Sequence, residues 1–170
     1  MKKSKAALSQ TWTYCLADTP LGPLGLTFTR RGLAALSFGD AAGARAQEQP
    51  LPSSLAPLKD AAVQALMNYF AGVSTSFRDL PLDLQGTPFQ SRVWRKLRTV
   101  PWGTTLSYQA LATLLGTPRA PRAVGQALGA NPLPIIIPCH RVIAQDGSLG
   151  GYSSGLERKR WLLTHEGLKV

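Results

Sequence analysis

A chain of 170 residues with 44% hydrophobic content is long enough for one or two small domains and too apolar for a disordered protein. Nineteen Lys and Arg against nine Asp and Glu give a formal net charge of +10, which favours a polyanionic partner such as nucleic acid, although on charge alone an incidentally basic protein is an equally good interpretation. Two cysteines are too few for a disulfide framework and indicate a reducing compartment.

The N-terminal segment begins like a signal peptide but lacks its apolar core. Residues 1–8 are basic and partly apolar, and polar residues at 9–11 then interrupt the run. No stretch approaches the roughly 18 apolar residues of a membrane-spanning helix. The sequence therefore predicts a soluble cytoplasmic protein that does not associate with a membrane.

The first half of the chain has the pattern of a small sheet covered by one helix. β-branched and aromatic residues predict strands at 12–17, 24–30 and 33–38, with a Gly-Pro turn between the first two. Residues 39–53 are rich in Ala, Gly, Gln and Pro and predict a mobile connection. Apolar residues at helical spacing predict a helix over 55–70. Three strands and one helix make a small α/β layer.

The second half begins with a linker and a clear helix start. Residues 73–86 contain breakers and predict the linker. Thr87 as the N-cap and Gln90 three residues later form a capping box, so a helix is predicted from Pro88 to about Val100.

The following segment has the spacing of a helix–turn–helix. Ser107 is expected to cap a helix over 108–115, and a further helix is predicted over 121–129. This arrangement is typical of elements that bind DNA, although many helical bundles share it. Ser154 and Glu157 predict a capping box for a final helix.

Cys139 lies beside His140, one of only two histidines. The apolar run 134–137 predicts a short buried strand that stops at Pro138, which would place Cys139 at a strand end. Taken alone, a free cysteine is more often a small buried hydrophobe. Here His140 and Arg141 favour a reactive thiolate, since nearby positive charge lowers the pKa of a thiol. Because adjacent side chains of an extended segment point to opposite faces, His140 would act across a turn or through a water.

An imidazole base needs an orienting partner, and Glu166 in the last turn of the final helix is a candidate. The alternative for Glu166 is a solvated carboxylate at a helix end. His165 is expected to be a cation of the same helix terminus. Two cysteines and two histidines far apart show none of the usual zinc spacings, so no metal site is predicted.

Arg122 begins the predicted helix over 121–129 and is followed by small residues. A helix with a small-residue surface can approach a nucleic-acid backbone closely with its N-terminal amides toward phosphate. One long cation there could enter the space left by a base that has moved out of the stack. The alternative is an ordinary solvated arginine.

These features together resemble the O6-alkylguanine-DNA alkyltransferases, also called methylated-DNA–protein-cysteine methyltransferases. The resemblance extends from about Thr87 to Gly167 and is specific, because several separate motifs occur in the same order. The first 84 residues match more loosely, through the turn at 19–23 and the end of the predicted helix. The motifs are Ser107-Tyr108, Arg122-Ala123-Val124-Gly125, Asn131-Pro132, Pro138-Cys139-His140-Arg141, Gly151-Tyr152-Ser153 and His165-Glu166-Gly167.

The resemblance implies an α+β fold with two domains. Residues 1–84 would form an N-terminal α/β, ribonuclease H-like domain with an antiparallel sheet. Residues 85–170 would form a mainly helical domain with a winged helix–turn–helix-like element that binds DNA and performs the alkyl transfer.

The resemblance also implies the activity. Such a protein flips O6-alkylguanine out of double-stranded DNA through the minor groove and takes the alkyl group irreversibly onto Cys139, with O4-alkylthymine as a poorer substrate. It is consumed in one turnover and needs no cofactor. It would work as a monomer without an obligate protein partner, associated with the nucleoid when bound to DNA; cooperative binding on DNA stays open.

The resemblance assigns roles to single residues. Cys139 is the acceptor, His140 is a base that acts through a water, and Glu166 orients His140. Tyr108 crowds the phosphate of the target nucleotide and donates a proton toward the guanine ring, so it joins these three in the catalytic set. Arg122 matches the finger that fills the vacated space in the base stack. The implied DNA contacts are Arg122, Ala123, Ser107, Tyr108 and Arg141.

The implied substrate pocket surrounds the acceptor. Asn131 matches the residue that braces the turn before the active-site strand. Tyr152 and Ser153 match the lid, with Ser153 near the O6 atom, and the carbonyls of Cys139 and Val142 would accept from the guanine amino group. The complete pocket set is Val142, Tyr152, Ser153, Asn131 and Leu128.

Two positions depart from the family pattern. Pro121 stands where a small residue is more usual and Gly129 where some relatives carry a cation, and both bear on how the groove fits rather than on the chemistry.

Two other classes of protein are alternatives to an alkyltransferase. A protein that flags lesions without transfer is disfavoured by the presence of Cys139, and a thiol hydrolase with a Cys–His pair leaves the charge of +10 unexplained.

Overall fold

The computed structural model describes residues 10–39 and 50–170. The basic segment 1–8 and most of the connection predicted at 39–53 lie outside the described residues.

The N-terminal part is a three-stranded antiparallel sheet in the order β1-β2-β3. Its strands are β1 (Trp12–Leu16), β2 (Leu24–Thr29) and β3 (Gly32–Phe38), so all three predicted strands are confirmed to within a residue. On β2 the buried Leu24, Leu26 and Phe28 alternate along the strand. They therefore share one face, as period two requires.

One helix joins this sheet in the core, as predicted. Helix α1 (Ala56–Phe70) follows a 3-10 turn at Ser53–Leu55. Its buried residues Ala62, Leu66 and Tyr69 belong to the same hydrophobic cluster as β2. The spacing of these residues by three and four places is what allowed the helix to be predicted.

The segment predicted as a linker, residues 73–86, is irregular and largely exposed, but part of it packs against the sheet. Phe77 and Leu80 are buried. The Leu33 amide donates to the Pro81 carbonyl at 2.9 Å, and the Asp83 amide donates to the Leu33 carbonyl at the same distance. Prolines and glycines marked this segment as irregular, but an irregular chain can still satisfy its backbone along a sheet edge.

The first helix of the second half begins as predicted. In α2 (Pro88–Leu97) the Thr87 hydroxyl accepts from the Gln90 amide at 3.2 Å, and the Gln90 side chain accepts from the Thr87 amide at 2.8 Å. The helix ends three residues before Val100, and Arg98 instead donates to the carbonyls of residues 77 and 78 at 2.8 and 2.9 Å.

The helix–turn–helix is also present. Helix α3 (Tyr108–Leu114) is capped by Ser107, whose hydroxyl accepts from the Ala110 amide at 3.0 Å, and α4 (Pro121–Gly129) follows and packs on it. Strand β4 (Leu106–Ser107) pairs in parallel with β5 (Val142–Ile143). This pairing brings the start of α3 next to the residues that follow Cys139.

The predicted strand over 134–137 is wrong, although its residues are buried. The segment is a turn in which Ile135 has φ 73°, and Cys139 opens a 3-10 helix, Cys139–Arg141. The Asn131 side chain donates to the Ile137 carbonyl at 2.8 Å and accepts from the Leu133 amide at 3.0 Å. Prolines lack the amide that a ladder needs, and the Asn131 amide group takes the place of a neighbouring strand.

The last helix, α5 (Leu156–His165), begins differently from the prediction. Its N-cap is Gly155, with φ 95°, and no side chain caps it, so the prediction of a capping box by Ser154 and Glu157 is wrong. None of the helices in the described ranges is long and apolar enough to cross a bilayer.

Candidate active site

Cys139 lies at the wall of a cavity of about 450 Å³ between α4 and the glycine-rich loop at residues 147–155, which precedes α5. Cys139 is 5% exposed, so a reactant must enter this cavity to meet its sulfur. The cavity is lined by Tyr108, Gly125, Leu128, Gly129, Cys139, Gly151, Tyr152 and Ser153.

The structure places the predicted pocket residues in two groups. Leu128, Tyr152 and Ser153 line the cavity. Asn131 stands behind the sulfur, where its amide donates to Sγ at 3.0 Å. Val142 is fully buried, and its carbonyl accepts from the Lys159 ammonium at 2.6 Å.

His140 and Glu166, which are 26 residues apart, meet in the core. His140 Nε2 lies 2.7 Å from Glu166 Oε1, and both side chains are 0% exposed. Glu166 is therefore not the solvated carboxylate that was the alternative.

Both oxygens of the Glu166 carboxylate also accept hydrogen bonds from other residues. Arg141 donates to its two oxygens at 2.8 and 2.9 Å, Tyr69 donates to Oε1 at 2.9 Å, and the Gly103 amide donates to Oε2 at 3.2 Å. Burial alone would raise the pKa of Glu166, but the hydrogen bonds from His140 and Arg141 lower it to about 2. Glu166 is thus a carboxylate at neutral pH.

This arrangement defines the tautomer of His140. A carboxylate only accepts, so Nε2 must carry the hydrogen and Nδ1 must keep its lone pair. Nδ1 is buried and has no hydrogen-bond partner among the described residues. Burial lowers the pKa of His140 despite the pull of Glu166, so the ring is a neutral base at rest.

The electrostatics at Cys139 differ from the sequence argument. Burial raises the pKa of the thiol, while the Asn131 hydrogen bond and the positive charge of Lys159 act against this rise. His140 and Arg141 are therefore not the groups that favour the thiolate. Both shifts favour the uncharged forms, a thiol at Cys139 and a neutral imidazole at His140.

Arg141 is not placed to contact DNA, which corrects that prediction. It is 5% exposed, and besides Glu166 it donates to the Val100 carbonyl at 2.6 Å. Its Nε, Nη1 and Nη2 atoms each donate to a group inside the protein, and two of these bonds hold the Glu166 carboxylate.

Sequence reasoning missed Lys159, which is fully buried on α5. Its ammonium donates to the carbonyls of Val142, Leu149 and Gly151, and burial lowers its pKa to about 8. It thereby ties the glycine-rich loop to the segment that carries Cys139. A signal was present, because Lys159 shares a helix face with the buried Leu162 and Leu163 at i+3 and i+4.

The helix–turn–helix borders the cavity through Tyr108. The Tyr108 hydroxyl donates to the Gly151 carbonyl at 3.3 Å, and burial raises its pKa. A Cβ at Gly150 would come within 3.0 Å of the Tyr108 ring, and Gly150 has φ 64°, so this close approach requires glycine.

Arg122 is the second residue of α4 and is exposed, and Ala123 beside it is half-buried. Pro121 occupies the first position of α4, where the missing amide costs no hydrogen bond, so this departure from the family pattern leaves the helix intact. Within residues 10–39 and 50–170, no three His, Cys, Asp or Glu side chains cluster as a metal site.

Fold and site together define a protein with a buried thiol, a histidine–carboxylate pair and a helix–turn–helix that borders the cavity. Residues 88–168 match the family model for the DNA-binding domain of 6-O-methylguanine DNA methyltransferase, and residues 12–84 match the model for its ribonuclease-like domain. The chain belongs to this family, as the sequence motifs predicted.

Named relatives agree. The methylated-DNA–protein-cysteine methyltransferase of Mycobacterium tuberculosis (strain ATCC 25618 / H37Rv) is 45% identical over 155 residues, which are 90% of this chain and 91% of the relative. That of Shigella flexneri is 52% identical over 102 residues, which are 60% of each chain. The crystal structure of Mycobacterium tuberculosis OGT in complex with DNA has a TM-score of 0.76 at 45% identity, covering 92% of this chain and 91% of that one.

Proposed function

We propose that this protein repairs double-stranded DNA by moving the alkyl group of O6-alkylguanine onto Cys139, with O4-alkylthymine as a poorer substrate. One feature of the site supports this proposal most directly. Cys139 faces a cavity large enough for a purine, and His140 behind it is a neutral base whose other nitrogen is held by Glu166. The family relatives bear names that describe this activity.

The proposed reaction is a displacement at the alkyl carbon. The thiol proton passes to His140 Nδ1 through a bridging water, and the resulting imidazolium is stabilised by Glu166. The sulfur forms a bond to the alkyl carbon while the bond from that carbon to guanine O6 breaks, and its electron pair stays on guanine. Tyr108 donates its proton toward the guanine ring and regains one from the His140 imidazolium through water, so the net result is one proton moved from Cys139 to guanine.

The product would explain why each protein acts only once. A thioether at Cys139 has no easily expelled group, so the acceptor is not regenerated and each protein acts once.

The DNA must present the base outside the stack. Flipping costs a few kcal/mol and less for a mispaired lesion, and Arg122 would offset this cost by filling the gap from the minor groove. Ser107 and Ala123 lie at the two helix starts that would face the backbone. Tyr152 and Ser153 would close over the flipped base, with Ser153 near O6.

Mass spectrometry tests the proposal directly. After mixing with duplex DNA that carries O6-methylguanine, the Cys139 peptide should gain about 14 Da, with at most one group per protein. Cys139→Ser should bind the same duplex and gain nothing, and Cys15→Ser should react like wild type. Lesion binding with an unmodified Cys139 would favour a lesion-flagging protein, and repeated turnover on small esters would favour a hydrolase.

A further inference from the structure

The last turn of α1 reaches the histidine–carboxylate pair through Tyr69. This residue is 0% exposed and lies 97 positions before Glu166, yet its hydroxyl donates to Glu166 Oε1 at 2.9 Å. Its backbone carbonyl accepts from His165 Nε2 at 2.7 Å, so Tyr69 is bound to the end of α5 twice. An element of the first half of the chain thus contributes directly to the active-site network.

The Tyr69 ring is held in place by other aromatic rings. The Trp102 ring meets it edge-on at 4.9 Å between centroids, and the rings of Phe70 and Phe77 lie at 5.6 and 5.9 Å. Edge-to-face contacts of this kind restrict the tilt of a ring. The hydroxyl is therefore delivered to Oε1 in a defined direction.

The chemistry of the pair makes Tyr69 a donor. Glu166 is a carboxylate, and burial together with the charge of Glu166 raises the pKa of Tyr69 far above its usual range, so the phenol keeps its proton. Oε1 is then shared by three donors, which are the Tyr69 hydroxyl, His140 Nε2 and Arg141 Nη2. Donors that share one oxygen compete for its electron density, so each weakens the attraction of Oε1 for the others.

Taking the proposed alkyl transfer as given, we propose that Tyr69 is a positioning residue of that reaction: its hydroxyl holds the Glu166 carboxylate in place and limits how strongly Oε1 attracts the proton of His140. The consequence is that His140 stays neutral, with the Nδ1 lone pair available. Without this donor, Oε1 would bind the Nε2 hydrogen more strongly and favour the protonated ring.

The other charged and titratable groups near this pair do not supply the same effect. Arg141 and Lys159 both oppose protonation of His140 by their positive charge, and neither changes when Tyr69 is replaced. Tyr152 and Arg141 act on Tyr69 itself, and His165 contacts its carbonyl and ring. Among the groups that donate to Oε1 together with His140, Tyr69 is suited to a test, because replacing it with Phe removes the donor hydroxyl and keeps the ring.

The test is a histidine titration in the DNA-free protein. The chain has only two histidines, so nitrogen-15 NMR of the imidazoles distinguishes them once His165→Gln identifies one. In wild type, His140 should show the tautomer with hydrogen on Nε2. In Tyr69→Phe its titration midpoint should rise by about half a pH unit, which corresponds to part of one hydrogen bond.

The matched control is Phe70→Leu, which loosens the same aromatic cluster but removes no donor from Glu166. Its His140 midpoint should equal that of wild type. An unchanged midpoint in Tyr69→Phe, or an equal shift in Phe70→Leu, would overturn the proposal. If Tyr69→Phe does not fold, 3-fluorotyrosine at position 69 keeps the ring and is a stronger donor, so the His140 midpoint should fall instead.

A second readout connects Tyr69 to the reaction. The single-turnover transfer rate of Tyr69→Phe should fall about threefold below the shifted midpoint and match wild type above it, with duplex affinity within about twofold, since only the base changes its protonation. Equal rate loss at all pH values would indicate a packing role alone. Because the NMR titration needs no substrate, a failure of alkyl transfer itself would leave that test intact and count only against the proposed function.

Discussion

At the scale of single residues, the site depends on one carboxylate that several elements surround. Glu166 receives donors from α1, from the Gly103 turn and from the 3-10 helix that carries His140 and Arg141. A buried carboxylate is tolerated only when its oxygens are saturated in this way. The order of the active site is therefore linked to the ionisation of Glu166.

This link predicts a pH-dependent loss of stability in Glu166→Gln. The pKa of Glu166 is about 2 in the folded protein and about 4.3 when unfolded, so its contribution is complete above the unfolded value and is lost as the pH falls through the folded value. Glu166→Gln should reduce the free energy of unfolding by about 3 kcal/mol at pH 7.

Denaturant unfolding at a series of pH values measures this effect. The difference between wild type and Glu166→Gln should shrink as the pH falls from about 5 to about 2. Glu157→Gln, an exposed residue at the start of α5, is the control and should show little difference at any pH. A difference that stays constant with pH would contradict the assignment of the charge to Glu166.

At the scale of elements, the helix–turn–helix and the cavity are connected through the starts of α3 and α4. Tyr108 begins α3 and lines the cavity, whereas Arg122 near the start of α4 is exposed. Helix α3 thus meets the cavity at its first residue, while α4 lines the cavity with Gly125, Leu128 and Gly129 and carries the exposed Arg122 near its start. An exposed residue such as Arg122 can be replaced without disturbing the fold.

Arg122→Ala should impair base flipping in duplex DNA while leaving the alkyl-transfer step itself unchanged. We expect transfer from duplex DNA to slow by about 10- to 100-fold, because the gap left by the flipped base is no longer filled. Transfer from free O6-alkylguanine should be unchanged, as should the thermal midpoint. Single-turnover rates on both substrates provide the comparison.

Arg119→Ala is the matched control, because Arg119 is an exposed arginine in the turn before α4. It should affect duplex transfer less than Arg122→Ala. Equal losses in the two variants would mean that general positive charge, and not the position of Arg122, supports the reaction.

At the scale of the whole molecule, the net charge of +10 should govern binding to DNA. Lys and Arg contacts to phosphate release counterions, so the logarithm of affinity falls linearly with the logarithm of salt concentration. Raising the salt from about 50 to about 200 mM should weaken binding to lesion duplex at least tenfold, as measured by fluorescence anisotropy. An affinity that does not change with salt would exclude binding through the phosphate backbone.

The buried core also runs through the whole molecule. Residues of β2, α1, α2 and the turn before Cys139 belong to one hydrophobic cluster. The boundary predicted between residues 84 and 85 falls where residues 85–88 are exposed, and it stays a prediction. The contact of Tyr69 with Glu166 crosses that boundary inside this core.

The sequence by itself determined the features that depend on neighbours along the chain. The capping box of Thr87 and Gln90, the cap at Ser107 and the three strands each rest on residues a few positions apart, and local propensity and period suffice to predict them. The family motifs also led to His140 and Glu166, because their spacing along the chain is itself part of the pattern.

Only the tertiary structure decided which groups, distant along the chain, come together around a buried charge. Arg141 turns inward to Glu166, Lys159 is buried beside Cys139, and Tyr69 completes the carboxylate's donors. A side chain's local pattern does not show whether it will lie in water or beside an ion from another element. The cost of burying a charge is offset only by partners that the fold brings together, so these roles appear with the fold.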